Sequence, residues 1–131
     1  MSSIAQQVAV AIRDFQQHRT GHAPGSVNVV LSNDTVVITL QNALTSAERL
    51  LSRTPEGSAQ VQEYHRRLFE SSVETLKQEI ERITGVAVRE AAQLMTRTAE
   101  RRQDLPAGVI QDVHLFVAAV HDVHESLLRI A

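Results

Sequence analysis

The chain has 131 residues, which is the size of one domain with a single core, and its formal net charge is −2. It contains no cysteine, which excludes disulfides, thiolate catalysis and cysteine-bound zinc. The near-neutral charge does not indicate nucleic-acid binding. The sequence shows neither a signal peptide nor an apolar run of the ~20 residues that span a bilayer. We therefore expect a cytoplasmic protein without nucleic-acid binding or membrane insertion.

The N-terminal segment is predicted to be an amphipathic helix. Ser3 and Gln6 form an S-x-x-Q capping box, and Gly21 follows the last residue of the pattern. The stripe expected to be buried consists of Ile4, Val8, Ala11, Ile12 and Phe15. The next residues, Gly21–Gly25, are a loop by composition.

A β-hairpin is predicted from Ser26–Ser32 and Thr35–Gln41. Asn33 and Asp34 lie between these strands and tolerate the positive φ of a tight two-residue turn. Such a turn sets Leu31 opposite Val36, Val29 opposite Ile38 and Val27 opposite Leu40. All six apolar side chains then share one face, and a slip of one residue would scatter them.

Two further helices are predicted after the hairpin. Thr45 and Glu48 form a T-x-x-E capping box for a short helix that ends near Arg53. Thr54 is a suitable N-cap for a long helix that Gly85 closes. The apolar stripe of the long helix comprises Val61, Tyr64, Leu68, Phe69, Val73, Leu76, Ile80 and Ile83.

The length of this helix indicates a partner chain. It would measure about 45 Å, whereas a domain of this size is roughly 35–40 Å across. The second half of its stripe has the spacing of helix-on-helix packing, and we expect it to form a homodimer interface through Phe69, Val73, Leu76, Ile80 and Ile83. The same spacing also suits a helix packed within one protomer.

The residues after Gly85 allow two interpretations. Alternate apolar positions at Val86, Val88, Ala92 and Leu94 suit a third strand, but the polar spacing suits a helix equally well. The tail is predicted to be a helix over about 107–129. Its apolar seam comprises Val109, Val113, Phe116, Val120, Val123, Leu127 and Ile130.

Helix, glycine loop, hairpin, L-T-x-A-E-R turn and long helix follow one another in an order that resembles a bacterial family of small domains. This family is called MpsC-like, after an accessory component of a membrane-potential-generating system. The resemblance covers roughly Ile4 to Val88, and its most specific matches are Leu44–Arg49 and Ile83–Val86. The family loop reads approximately G-R-G-P, whereas Gly21–Pro24 reads G-H-A-P, so any role of that arginine is not carried over.

The resemblance implies a cytoplasmic, non-catalytic accessory domain without a cofactor. A membrane transport protein for an ion or inorganic carbon is the implied partner, beside a second copy of the chain. The family closes its sheet with two strands after the long helix, and Arg101–Pro106 with the helical tail does not match the last of them. We therefore expect the chain to depart from the family over residues 89–131.

Three groups of residues are candidates for chemistry. His121, His124 and Glu125 lie at helical spacing, and a metal- or anion-binding sensor that uses them is the alternative function, although surface histidines are the favoured interpretation. His65 lies within the long apolar stripe, where a satisfied, semi-buried histidine is favoured over a general base and a pH-responsive role is the alternative. The possible ligand loop consists of Gly21, His22, Pro24, Thr45, Glu48 and Arg49. Since proline removes one N–H from a phosphate cradle, a structural loop is favoured over anion binding.

The sequence thus predicts a single α+β domain over residues 1–131, with no metal site and no catalytic residues. Its expected elements are an N-terminal helix, a β-hairpin, a short helix, a long amphipathic helix, a possible third strand and a C-terminal helix.

Overall fold

A computed structural model of the protein describes residues 3–97 and 110–120. Its elements are α1 (Ile4–Thr20), β1 (Ser26–Leu31), β2 (Thr35–Gln41), α2 (Ser46–Leu51), α3 (Pro55–Thr84), β3 (Val88–Arg97) and β4 (Ile110–Val120). The strands form one antiparallel sheet in the order β1-β2-β4-β3. Helices α1 and α3 pack on one face of this sheet, which confirms the α+β class.

The helix boundaries follow the capping residues of the sequence. Ser3 caps α1 and Thr45 caps α2, each in a capping box, and the Thr54 hydroxyl accepts from the N–H of Gly57 to start α3. Helices α1 and α3 end at Gly21 and Gly85, which have φ of 77° and 73°. These local predictions are confirmed because each cap is a contact between near neighbours in the chain.

The hairpin has the predicted register. Leu31 pairs with Val36, Val29 with Ile38 and Val27 with Leu40. The turn does not use the predicted left-handed backbone, because Asn33 and Asp34 keep negative φ and only Asn42, with φ 55°, has a positive value among the described residues other than glycine. The turn closes with the N–H of Ser32 donating to the carbonyl of Thr35 at 2.9 Å.

The core lies between the sheet and the two long helices. On α1 it contains Ile4, Val8 and Ile12, on α3 Leu76, Ile80 and Ile83, and on the sheet Val36, Ile38, Leu40, Phe116, Ala118 and Val120. The ring of Phe69 stacks on that of Phe116 with centroids 5.8 Å apart. Three of the five residues assigned to a homodimer interface are therefore covered by the same chain, and only Phe69 and Val73 are partly exposed. The protomer thus buries this part of the stripe by itself.

The predicted C-terminal helix is wrong over residues 110–120, which form β4 in the interior of the sheet. Alternate residues of β4 face the helices and are buried, namely His114, Phe116, Ala118 and Val120. The residues between them are also largely apolar. Because β4 carries apolar side chains on both faces, its sequence has the same broad apolar pattern as a helix with a wide arc. Residues 121–129 of the predicted helix lie outside the described residues.

The third strand is present as β3, but its predicted alternation is interrupted. A register irregularity between Val88 and Glu90 inserts one residue into β3. Beyond it the inward positions change from even to odd numbers, so Ala91 faces the core while Ala92 and Leu94 face away. Two strands thus follow the long helix, and the expected departure from the family over residues 89–131 stays a prediction.

Candidate functional site

A group of polar side chains is buried between the sheet, α2 and α3. His65 belongs to the inward stripe of α3, one turn after Val61, whereas Tyr64, which was assigned to that stripe, is half-exposed. His114 projects from β4 into the same layer, and both imidazoles are fully buried. Their rings meet edge to face with centroids 5.1 Å apart. This histidine pair is the most distinctive polar feature of the core.

Glu48 connects the capping box of α2 to the histidine pair. One carboxylate oxygen accepts from the N–H of Thr45 at 3.0 Å, and the other accepts from Nε2 of His65 at 2.5 Å. Burial alone would raise the pKa of Glu48, but the hydrogen bonds from His65 and Thr45 outweigh it and lower the pKa to about 2. The carboxylate is therefore ionised, and its charge-assisted hydrogen bond holds α2 against α3.

His114 has no such partner. Neither ring nitrogen forms a hydrogen bond with any side chain or backbone group of the described residues. Burial, with smaller contributions from His65 and Arg19, lowers the pKa of His114 to about 3, and Glu48 opposes this shift only in part. The ring is therefore neutral at neutral pH. A buried polar group without a partner costs about 1–3 kcal/mol, so His114 stabilises the fold less than an apolar residue of its size would.

Two further side chains attach this region to the backbone. Gln93 of β3 donates to the carbonyl of His65 at 3.1 Å. One carboxylate oxygen of Asp112 accepts from the N–H groups of Ala43 and Leu44, at 2.8 and 3.0 Å. Asp112 thus ties β4 to the segment that leads into α2.

A second group of polar contacts, made by Arg19, lies between α1, α3 and Phe116 of the sheet. The guanidinium of Arg19 lies 5.1 Å from the ring centroid of Phe15 and 5.6 Å from that of Phe116. It donates to Gln16 at 2.6 Å and to Ser72 at 3.2 Å, which joins α1 to α3. Burial lowers the pKa of Arg19 to about 10, so this group stays charged at neutral pH.

The possible ligand loop is divided between two places. Thr45 and Glu48 lie at the histidine pair, and Arg49 is exposed. His22 donates from Nε2 to the carbonyl of Asn42 at 3.0 Å, which fixes the glycine loop to the end of β2. Gly21 caps α1 and Pro24 is buried, so these loop residues have structural contacts of their own. Ligand binding by this loop stays a prediction.

The C-terminal candidates His121, His124 and Glu125 lie outside the described residues. Within residues 3–97 and 110–120, no group of three or more His, Asp or Glu side chains is arranged to hold a metal. No helix in the same part of the chain combines the length and apolarity that crossing a bilayer requires.

The sequence revealed only part of this site. It placed His65 in a buried stripe and Glu48 in a capping box, but it did not bring the two together. His114, Asp112 and Gln93 were missed. The available signal was the two-residue spacing of Asp112 and His114 around Val113, which is a strand period and not a helical one.

Burial limits access to the two histidines. A carboxylate bonded to an imidazole is a common general-base pair, but the base must reach the proton that it removes. Both histidine side chains are fully buried in the described structure, with 0% exposure.

Comparison with known proteins identifies a family and a related protein. The sequence profile of the family described as "Na+-translocating membrane potential-generating system (MpsC)" matches residues 1–102. The chain is also 30% identical over 100 residues to the uncharacterized protein YbcI of Bacillus subtilis (strain 168), covering 76% of this chain and 81% of that protein. No solved structure matches the chain. The match extends beyond the Ile4–Val88 range of the sequence resemblance into β3, and the chain belongs to the MpsC family.

Proposed function

We propose that this protein is a non-catalytic, cytoplasmic accessory subunit of a Na+-translocating system that generates membrane potential. The observation that carries this proposal is the match to the MpsC family over residues 1–102, whose description names such a system. The chain would act by binding a membrane-embedded partner, which transports the ion. It would do so as a homodimer.

The buried histidine pair supports a non-catalytic role. Its most strongly bonded member, His65, uses Nε2 to hold Glu48 of α2, and its other member lies within the sheet. Both residues thus serve packing between elements. A binding subunit needs a surface that keeps its shape. Glu48 joins α2 to α3, Asp112 joins β4 to the segment before α2, and Arg19 joins α1 to α3, so these contacts would stabilise such a surface.

The proposal is tested in a host strain that lacks its own copy of the gene. We expect the Na+-dependent part of the membrane potential, measured with a potential-sensitive dye with and without Na+, to fall in this strain and to return with the wild-type gene. An unchanged Na+-dependent potential would contradict the proposed system.

Variants at the histidine pair separate accessory from catalytic action. His114→Leu keeps the volume of the side chain and removes its nitrogens, and we expect a folded His114→Leu protein to restore the potential as well as wild type. A folded variant that fails to restore it would favour an enzymatic role. Arg49→Ala, at an exposed residue of the family-like turn, is the matched surface variant for this comparison.

A further inference from the structure

The second face of the sheet is apolar and lies away from the helices. Side chains of a strand alternate between faces, so the residues between the core positions project to the other side. One cross-strand row there is Val30–Val37–Val117–Ala92. The next row is Asn28–Thr39–Leu115–Leu94, and Val113 and Ala119 flank the two rows on β4. We call these residues the outer sheet face.

No helix of the described residues covers the outer sheet face. None of its residues belongs to the hydrophobic core formed with α1, α2 and α3. Val30 is 54% exposed and Leu94 is 59% exposed, at the two edges of the sheet. The side chains of β4 between them are partly exposed. A contiguous apolar surface of this kind marks an interaction site.

The outer sheet face is almost free of charge. Charged residues make up 21% of the chain. The two rows of the face contain none, and the adjoining row, Thr35–Ala119–Glu90, contains only Glu90, at a corner of the sheet. A partner recognised through opposite charge would find no complement here. A neutral apolar surface is instead suited to contact with an identical surface.

We propose that the outer sheet face packs against the same face of a second copy of this chain. The two sheets would stack at about 10 Å with their strands aligned within about 30°, giving four layers in the order helix, sheet, sheet, helix. A twofold axis through the centre of the face, along or across the strands, keeps the two Glu90 carboxylates at separate corners. This inference gives the proposed homodimer its interface and does not depend on the Na+ system.

The size of the surface matches that of a second copy of the same sheet. Four strands at ~4.8 Å span about 19 Å, and the 7 residues of β2 at ~3.3 Å span about 23 Å, which gives about 440 Å² in projection. A second sheet covers all of it, and side-chain relief brings the contact towards the ~800 Å² per partner of a standard interface.

The test is the mass of the full chain in solution. We expect sedimentation equilibrium at tens of micromolar to give a dimer for wild type. Val117→Glu places a carboxylate in the centre of the face and should weaken the dimer by about 100-fold or more. The matched control is Val10→Glu, because Val10 is 61% exposed on α1 and lies outside the face, and it should leave the dimer intact. Circular dichroism reports whether each variant is folded.

A second measurement covers the case in which Val117→Glu does not fold. The chain has no cysteine, so Leu115→Cys introduces a unique thiol near the centre of the face. We expect it to form a disulfide between two chains under mild oxidation, whereas Val10→Cys should not. A monomeric wild type, a dimer that survives a folded Val117→Glu variant, or a Leu115→Cys thiol that neither reacts with reagent nor crosslinks two chains would each overturn the proposal. The last result would indicate that another part of the same chain covers the face.

Discussion

Replacement of His114 by leucine should make the protein more resistant to acid. His114 is fully buried in β4, and neither ring nitrogen has a partner among the described residues. Burial lowers its pKa from 6.5 to about 3, so the ring stays neutral in the fold but takes up a proton in the unfolded chain. Above about pH 6.5 this difference in proton uptake does not affect the free energy of unfolding. As the pH falls from 6.5 towards 3, only the unfolded chain binds the proton, so the free energy of unfolding falls progressively.

The magnitude follows from the difference between these two pKa values. Within this range each pH unit changes the free energy of unfolding by about 1.4 kcal/mol, so wild type should lose about 2 kcal/mol between pH 7 and pH 5 through His114 alone. Leucine binds no proton. It also removes the unpaired ring nitrogens of His114, whose burial costs wild type about 1–3 kcal/mol. His114→Leu should thus be at least as stable as wild type at pH 7 and clearly more stable at pH 5.

Urea unfolding at about pH 7 and pH 5, at one protein concentration, measures this effect. His114→Gln is the matched control, because glutamine keeps a buried polar group but does not titrate. It should share the flatter pH dependence of His114→Leu without the gain in stability at pH 7. Equal pH dependence in wild type and both variants would refute the buried, neutral imidazole.

The other predictions concern the caps and the hairpin. Glu48→Gln removes the charge from the hydrogen bond with His65 and should lower the free energy of unfolding at pH 7 by about 1–3 kcal/mol; no loss would contradict the role of that bond. Ile38→Asp places a charge in the core and should abolish the helical circular dichroism signal, whereas Thr39→Asp on the outer sheet face should keep it, and equal loss would show that the register is wrong. Gly57→Ala should lower the melting temperature, because its Cβ would lie 1.8 Å from the backbone oxygen of the last residue of α2. Alanine favours helices over glycine by about 1 kcal/mol, so an unchanged or higher melting temperature would refute this contact.

The first part of the fold was predictable because its signals are local. The capping boxes at Ser3 and Thr45 involve residues three apart, and the hairpin register depends on one short turn and one alternation. Such features require no knowledge of the rest of the chain. The sequence therefore indicated the positions of α1, β1, β2, α2 and α3 correctly.

The end of the sheet was not predictable in the same way. β4 pairs with β2 and β3 on its two sides, and its apolar residues on both faces gave a helical interpretation. The inserted residue between Val88 and Glu90 also broke the alternation of β3. Strand pairing across long separations decides these elements, and the local pattern does not contain it.

The candidate site depended on the same long-range pairing. Glu48 and His65 are brought together by the packing of α2 on α3, and His114 reaches them only because β4 lies inside the sheet. The homodimer prediction was affected in a similar way. Leu76, Ile80 and Ile83 of the α3 stripe are covered by the chain's own sheet and by α1. The uncovered apolar surface is formed by four strands, two of which the sequence did not establish.

The most direct test of the proposed accessory function is a titration of purified protein into membrane vesicles from the deletion strain. The vesicles are energised, and the Na+-dependent membrane potential is recorded as the amount of added chain increases. We expect the potential to rise in proportion to the added protein and to saturate at a fixed molar ratio to the transporter. Full restoration at a small fraction of that ratio, as a catalyst would give, or no restoration at any amount would contradict the proposed function.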